Sequence, residues 1–397
     1  MHTNGNDVVR MNPDRAQRLM AFCQSEASWL RHAIETLVSF ESPSDDKVAV
    51  DRCGASLQQM LSGIGGAVER IPQVSSGDHV RARWPARDRK NGDPARILLL
   101  GHFDTVWPTG SLHRMPVREV AGRLHGPGIF DMKSGIAVAM LAMRALEALE
   151  MRPPHEVAML WTTDEEVGSV TSRTLIEEDA RRSAAVLVLE PSLPDGAAKT
   201  SRKGVGEFEI LVHGVAAHAG LDPEKGASAV HELARIILAL ETLQDPSAGI
   251  TVNVGTITGG IRPNVVADRA SARVDVRVAT MIDAARLEAA IRGLRPLHPR
   301  VRVEITGGVD RPPLERSSAV VRLYQRASAI AEMLGRRLPE GPAGGGSDGN
   351  FTGALGVPTL DGLGPRGDGA HALHEHVLVE DLPWRAAFVA CLIASFG

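Results

Sequence analysis

Apolar residues recur along this chain at two spacings, and each predicts a different element. Over residues 13–61 they fall at helical spacing, with Leu30, Ile34 and Leu37 on one face, which predicts two helices broken at Ser42-Pro43-Ser44. The unbroken run Ile97-Leu98-Leu99-Leu100 predicts a buried strand over 97–101. Residues 133–150 then place Ile136, Met140, Met143, Leu146 and Leu149 on one helical face, until Pro153-Pro154 stops the helix. Further strands are predicted at 157–162 and 185–189, with a helix at 172–182 between them. Strands alternating with helices of this length predict a largely parallel sheet flanked by helices. In such sheets ligands collect beyond the carboxyl ends of the strands.

From residue 205 the pattern changes. It predicts a strand (205–212), a helix (227–243), two strands (250–257 and 266–278), a helix (282–294) and a strand (301–306). That β-α-β-β-α-β order is the ferredoxin-like one. The expected fold class is therefore α/β: a catalytic domain made of residues 1–202 and 313–397, with a ferredoxin-like α+β domain inserted at 203–312. A chain of 397 residues fits two domains of roughly 100–200 residues each. Beyond the insertion, a helix is predicted at 317–334 and a loop at 342–349. The glycine run 344–346 lacks the Gly-Lys-Ser/Thr ending of a phosphate loop and reads as a tight turn passing near a ligand.

Composition narrows the partners. The hydrophobic share of 43% is that of a globular protein, and the formal charge of −4, with no basic cluster interleaved with aromatics, speaks against nucleic acid. No apolar run approaches the roughly 18 residues of a spanning helix, so no membrane association is expected. The first seven residues show neither a charged nor an apolar signal region. Cys23, Cys53 and Cys391 are odd in number and widely spaced, which predicts neither a disulfide framework nor a CxxC zinc site. Buried thiols in a cytoplasmic protein are the expectation.

The candidate chemistry lies at the predicted strand ends. His102 and Asp104, two apart in extended backbone, share a face and can converge on a metal ion or simply meet solvent. Asp131, after Gly126-Pro127-Gly128, is either a helix N-cap or a metal ligand. Asp164-Glu165-Glu166 follow the strand ending at Thr162. In extended backbone neighbouring side chains point to opposite faces, so one Glu can bind a cation while the next faces a substrate. Glu190 ends an apolar run and needs a partner, a cation or an arginine. His371, His374 and His376 crowd one short segment, and spacing does not choose among them. Zinc and similar cations accept both imidazole and carboxylate.

Taken together, these segments resemble a known family. Gly-His-x-Asp-Thr-Val (101–106), Gly-Pro-Gly-Ile-Phe-Asp-Met-Lys-Ser-Gly (126–135), Thr-Asp-Glu-Glu-Val-Gly-Ser (163–169), Leu-Glu-Pro-Ser (189–192), Ala-His-Ala-Gly (217–220), Gly-Gly-Gly-Ser-Asp (344–348) and His-x-x-x-Glu (371–375) are similar, in order, to the di-zinc metallopeptidases. That family contains glutamate carboxypeptidase, acetylornithine deacetylase, succinyl-diaminopimelate desuccinylase and aminoacylase. The resemblance implies two Zn2+ ions, with Co2+ or Mn2+ as substitutes. One would be held by His102, Asp131 and Glu190, and the other by His371, Asp131 and Glu166, with Asp131 bridging. His371 is singled out because the family's glutamate falls at Glu375.

By the same resemblance, Glu165 is the general base for a metal-bridging hydroxide and Asp104 the acid that orients His102. His218 would reach an active site across a homodimer formed by the inserted lid domain and support the oxyanion. Asn264 and Arg277, thirteen residues apart, match substrate-binding positions; Arg311 and Gly345 are further candidates. The chain departs from the pattern at Ala267, where many relatives have Pro. A cis Asp131–Met132 peptide is also implied.

The implied activity is hydrolysis of an amide bond next to a free carboxylate, as in a glutamate carboxypeptidase acting on N-acyl amino acids or small peptides. The alternatives are a deacylase of the acetylornithine or aminoacylase kind, a catalytically inactive ligand-binding relative, and a structural Mg or Ca site.

Overall fold

The computed structural model describes residues 11–86 and 96–396. The chain divides into two compact units. The first comprises residues 1–200, 316–342 and 347–397; the second comprises 201–315 and the short return 343–346.

A six-stranded sheet organises the first unit. Its spatial order is Ala67–Ile71, His79–Trp84, Val157–Thr162, Arg96–His102, Ser183–Val188, Thr359–Leu360. The last four strands run parallel, while His79–Trp84 pairs antiparallel with both of its neighbours. Every residue of Arg96–His102 and of Val157–Thr162 is buried. Alternate side chains feed two cores. Ile97, Leu99, Met159 and Leu187 join the larger one, whereas Leu98, Leu100, Leu160 and Val188 face a smaller cluster with Ile176, Ala180 and Phe351. A sheet buried on both faces explains why its strands read as continuous apolar runs.

The first two predicted helices are three: Pro13–Ser25, Ala27–Ser39 and Lys47–Gly63. The unforeseen break is at Glu26, where the backbone leaves helical geometry (φ −97°, ψ 14°). Two elements of the larger core also went unpredicted, the edge pair 67–84 and the helix Leu382–Ala394. A short strand, Glu340–Ala343, precedes the glycine run, and the predicted loop closes on a short helix, Gly349–Ala354. Cys23, Cys53 and Cys391 are buried free thiols. Among the described residues no helix is long and apolar enough to cross a membrane.

The second unit is a four-stranded antiparallel sheet, in the order Thr251–Gly259, Arg269–Val278, Gly204–His213, Arg302–Arg311, with helices Ala229–Glu241 and Met281–Arg292. This is the expected ferredoxin-like arrangement. Phe208, Ile210 and Val212 alternate into its core. Ser228 and Thr280 cap the two helices by accepting the N–H groups of His231 and Asp283.

Candidate metal centre

Parallel strands deliver polar groups at their carboxyl ends, and in the first unit those groups meet. His102 closes the strand Arg96–His102, pairing in register with Thr162. Glu165 and Glu166 follow the strand Val157–Thr162, and Glu190 lies just beyond Ser183–Val188. Asp131 arrives from the side, ahead of the helix Ser134–Ala148. That helix begins hard against the neighbouring strand end, since a Cβ at Gly135 would stand 2.0 Å from the carbonyl oxygen of Leu189. Asp131 is not the helix cap, because Lys133 takes the cap position of Ser134–Ala148. The Asp131–Met132 peptide is cis, as the resemblance implied.

Two three-donor groups result, His102/Asp131/Glu190 and Asp131/Glu166/His371, the ligand atoms of each lying within 4.8 Å of one another. Nε2 of His102 stands 3.4 Å from both Asp131 Oδ1 and Glu190 Oε1. Nε2 of His371 stands 3.4 Å from Asp131 Oδ2 and 3.2 Å from Glu166 Oε2. Asp131 thus offers one oxygen to each group. His371 reaches its place through a left-handed backbone (φ 62°). His374 lies instead against Asp368, and His376 against His125.

Asp104 is fully buried behind His102. Nδ1 of His102 faces the Asp104 carbonyl oxygen at 3.1 Å and Oδ1 at 3.3 Å. That bonding pattern assigns the ring proton to Nδ1 and leaves the Nε2 lone pair aimed at the carboxylates. Asp104 also accepts Ser44 Oγ at 2.7 Å and the N–H of Glu166 at 3.2 Å. The Asp-Glu-Glu segment is not extended as expected. It forms a short 3-10 turn, Glu165–Val167, closed by Gly168 at φ 98°. Asp164 turns away from the site and accepts Thr171 N at 2.6 Å and Oγ1 at 2.8 Å.

The electrostatics ask for positive charge. Burial would push the His102 ring down, yet Asp104, Asp131 and Glu190 hold it well above the ordinary imidazole value. Asp131 and Glu166 push His371 up to about 10. Burial raises the Glu166 carboxyl, with His371 opposing. Burial would raise Asp131 as well, but His102 and His371 keep it below the usual carboxylate range. His102 Nε2 and Glu166 Oε1 are buried without a hydrogen-bond partner among the described residues. Cations in the two groups would satisfy both atoms, and imidazole with carboxylate is a donor set suited to zinc. The residues present fit a pair of divalent ions.

One contributor escaped the sequence-based assignment. Glu375 accepts four N–H groups from the loops around the site, and burial pushes its carboxyl up to about 7 against them. Its motif position was visible, but its partners were not. Asp348, from the Gly-Gly-Gly-Ser-Asp segment, similarly accepts Thr162 Oγ1 at 2.9 Å and the Ser169 hydroxyl, bracing the turn that carries the two glutamates.

His218, Asn264, Arg277, Arg311 and Gly345 belong to the second unit. His218 and Asn264 are neighbours there. His218 pairs with Val265, and the N–H of Ala219 reaches the Asn264 carbonyl at 3.0 Å. Nδ1 of His218 accepts the N–H groups of Gly220 and Leu221, both at 3.1 Å, so the ring proton sits on Nε2. Arg277 and Arg311 lie at the other end of the sheet, each paired opposite Val205. Between Arg269 and Arg277 run roughly 25 Å of strand, so thirteen residues of sequence do not bring Asn264 and Arg277 to one place. Arg277 is engaged by Asp275 through two bonds of 3.0 and 2.8 Å. The Gly345 carbonyl accepts Arg202 Nη1 at 3.1 Å, and Arg311 packs beside Gly346.

The chain is similar to known proteins along most of its length. Carboxypeptidase G2 of Pseudomonas sp. (strain RS-16) is 30% identical over 371 residues, covering 92% of this chain and 88% of that protein. Succinyl-diaminopimelate desuccinylase of Delftia acidovorans is 25% identical over 370 residues, covering 88% and 93%. The crystal structure of Bacillus subtilis YXEP, a dinuclear metal binding peptidase, superposes with a TM-score of 0.67 at 16% identity over 94% of this chain and 98% of that one, a likeness of fold. The profile of peptidase family M20/M25/M40 matches residues 98–395. The chain belongs to that family and is a hydrolytic metallopeptidase.

Proposed function

We propose that the chain is a dinuclear zinc hydrolase that cleaves an amide bond next to a free carboxylate, in the manner of a glutamate carboxypeptidase acting on N-acyl amino acids or small peptides. The observation that carries this reading is the pair of three-donor groups sharing Asp131. His102, Asp131 and Glu190 would hold one ion, and Asp131, Glu166 and His371 the other. When bound, two such ions lower the pKa of water and polarise the scissile carbonyl. Cobalt or manganese would serve as substitutes.

The chain's own residues do the rest. Asp104 fixes the His102 tautomer and, through the backbone N–H of Glu166, the turn bearing the base. Glu165 takes the proton of the attacking water and passes it to the leaving nitrogen. His218 donates from Nε2–H to the carbonyl oxygen as negative charge develops there. The substrate carboxylate is received by an arginine fork. Arg277 can serve by exchanging its Asp275 partner for the substrate; Arg311 and the Gly345 loop lie at the same end of the sheet.

His218 and Asn264 sit at one end of the second unit's sheet and Arg277 at the other, so contributions from both ends to one site call for a second copy of the chain. This supports a homodimer through the inserted domain, whose edge strand Thr251–Gly259 exposes Ile257. A monomer with full activity in sedimentation and assay would refute it. A cytoplasmic setting remains part of the proposal.

The second reading, a deacylase, rests on the similarity to the desuccinylase. A panel of folate-type glutamate conjugates, acetylornithine and N-acyl amino acids separates the two. Turnover confined to acetylornithine would rule out the carboxypeptidase reading.

A further inference from the structure

Glu375 is 1% exposed, and its two carboxylate oxygens accept four donors. Oε2 takes Trp107 Nε1 at 2.7 Å and the N–H of Gly128 at 2.9 Å. Oε1 takes the N–H groups of Phe130 at 2.8 Å and Asp131 at 3.1 Å. Three of these donors are backbone amides of a single segment, turned inward by the left-handed Gly128 (φ 69°). Converging amides of this kind form a concavity suited to an anion. The fourth donor comes from Trp107, in the loop that begins at Asp104.

Each partner is tied to the metal centre by a short stretch of chain. The amide of Asp131 belongs to the residue that both ligand groups share. Glu375 itself ends the turn that directly follows His371, closed by the bond from the Glu375 N–H to the Ala372 carbonyl at 2.9 Å. One carboxylate therefore joins the segments of Asp104, Asp131 and His371.

We propose that Glu375 is a positioning residue that sets the backbone of Asp131 and the turn of His371 in register, so that the two metal sites form together. This rests on the dinuclear reading above. A carboxylate is required because both oxygens must accept. A glutamine would keep the size but turn its NH2 toward two N–H donors, and an aspartate falls one methylene short. Outer partners of this kind govern metal affinity by about 10–100-fold in known sites.

The test titrates Zn2+ into the metal-free full chain with a competing chelator, comparing wild type, Glu375→Gln, Trp107→Phe and Glu41→Gln. Glu41 is the control, because it also accepts two backbone amides, those of Gly110 and Leu112, each at 2.8 Å, and neither belongs to the segment of Gly128, Phe130 and Asp131. Glu375→Gln is expected to weaken both zinc equivalents by about 10–100-fold, lowering kcat while KM stays near wild type. Glu41→Gln is expected to bind zinc as wild type does. Trp107→Phe removes one of the four donors and is expected to weaken zinc several-fold; it decides the matter should Glu375→Gln fail to fold. Wild-type zinc affinity at both sites in a folded Glu375→Gln, or in Trp107→Phe where that variant must decide, would overturn the proposal. A wild-type chain that takes up fewer than two ions would instead overturn the dinuclear reading itself.

Discussion

Oδ1 of Asp104 stands 3.3 Å from Nδ1 of His102, while Oδ2 of the same carboxylate accepts the backbone N–H of Glu166 at 3.2 Å. One buried acid thus orients His102 of the first group and fixes the backbone of Glu166 in the second. Asp104→Asn places an NH2 against one of these two partners. The expected loss is about 10–100-fold in metal affinity or in kcat/KM, read by zinc titration and steady-state kinetics.

Glu165 and Glu166 are adjacent yet assigned different work. Glu165→Gln is expected to lower kcat by about 10²–10⁴-fold, the range of general acid–base catalysis, with two zinc ions still bound and KM within a few-fold. An unchanged hydrolysis rate would remove Glu165 from the role of base.

The two ligand groups differ in exposure. The His102 side chain is 1% exposed and that of His371 is 53% exposed, so the His371 group should exchange its ion with solvent first. His371→Ala is expected to retain one zinc per chain, whereas Asp131→Ala, which removes the shared ligand, should weaken both. Zinc content after dialysis against a chelator reads the difference. Equal losses in the two variants would contradict the sharing.

Stability has a separate test in the first unit's core. Burial would raise the Asp381 carboxyl, but Arg385, the N–H of Arg366 and Arg336 together hold it below its ordinary value. The Arg385 Nε to Asp381 Oδ2 distance is 2.9 Å, with both side chains almost fully buried. A depressed carboxyl stabilises the fold at every pH above its unfolded value of about 3.9, and that stabilisation is lost as pH falls through the folded value. Asp381→Asn leaves Arg385 buried without its counter-ion and is expected to cost about 3–5 kcal/mol at pH 7. Urea denaturation should show the gap from wild type narrowing at pH 3.5, where the wild-type carboxyl begins to lose its advantage.

Much of this was legible in the residues. The continuous apolar runs announced a doubly covered sheet, and the acids and histidines stood out because they terminate those runs. The helix Leu382–Ala394 gave no comparable signal, since it is buried on nearly every side and carries no amphipathic stripe. The strand His79–Trp84 was hidden by its charges. Arg81 is buried within it and paired with Asp179 at 2.9 Å, so a core strand reads as a polar segment. Glu375 shows a different limit. Its partners in the loop 126–131 are backbone amides, which every residue but proline supplies, so no side-chain pattern marks them. The Asn264–Arg277 spacing says nothing of placement, because the extended strand between them sets Asn264 and Arg277 at opposite ends of one sheet.

Two divalent ions that share Asp131 and serve amide hydrolysis must be taken up together with activity. The decisive measurement titrates the metal-free chain with Zn2+ while following elemental content and hydrolysis of an N-acyl glutamate together. Two ions per chain are expected, with full activity reached only as the second equivalent is added. Saturation at one ion, or turnover unaffected by stripping the metal, would contradict that.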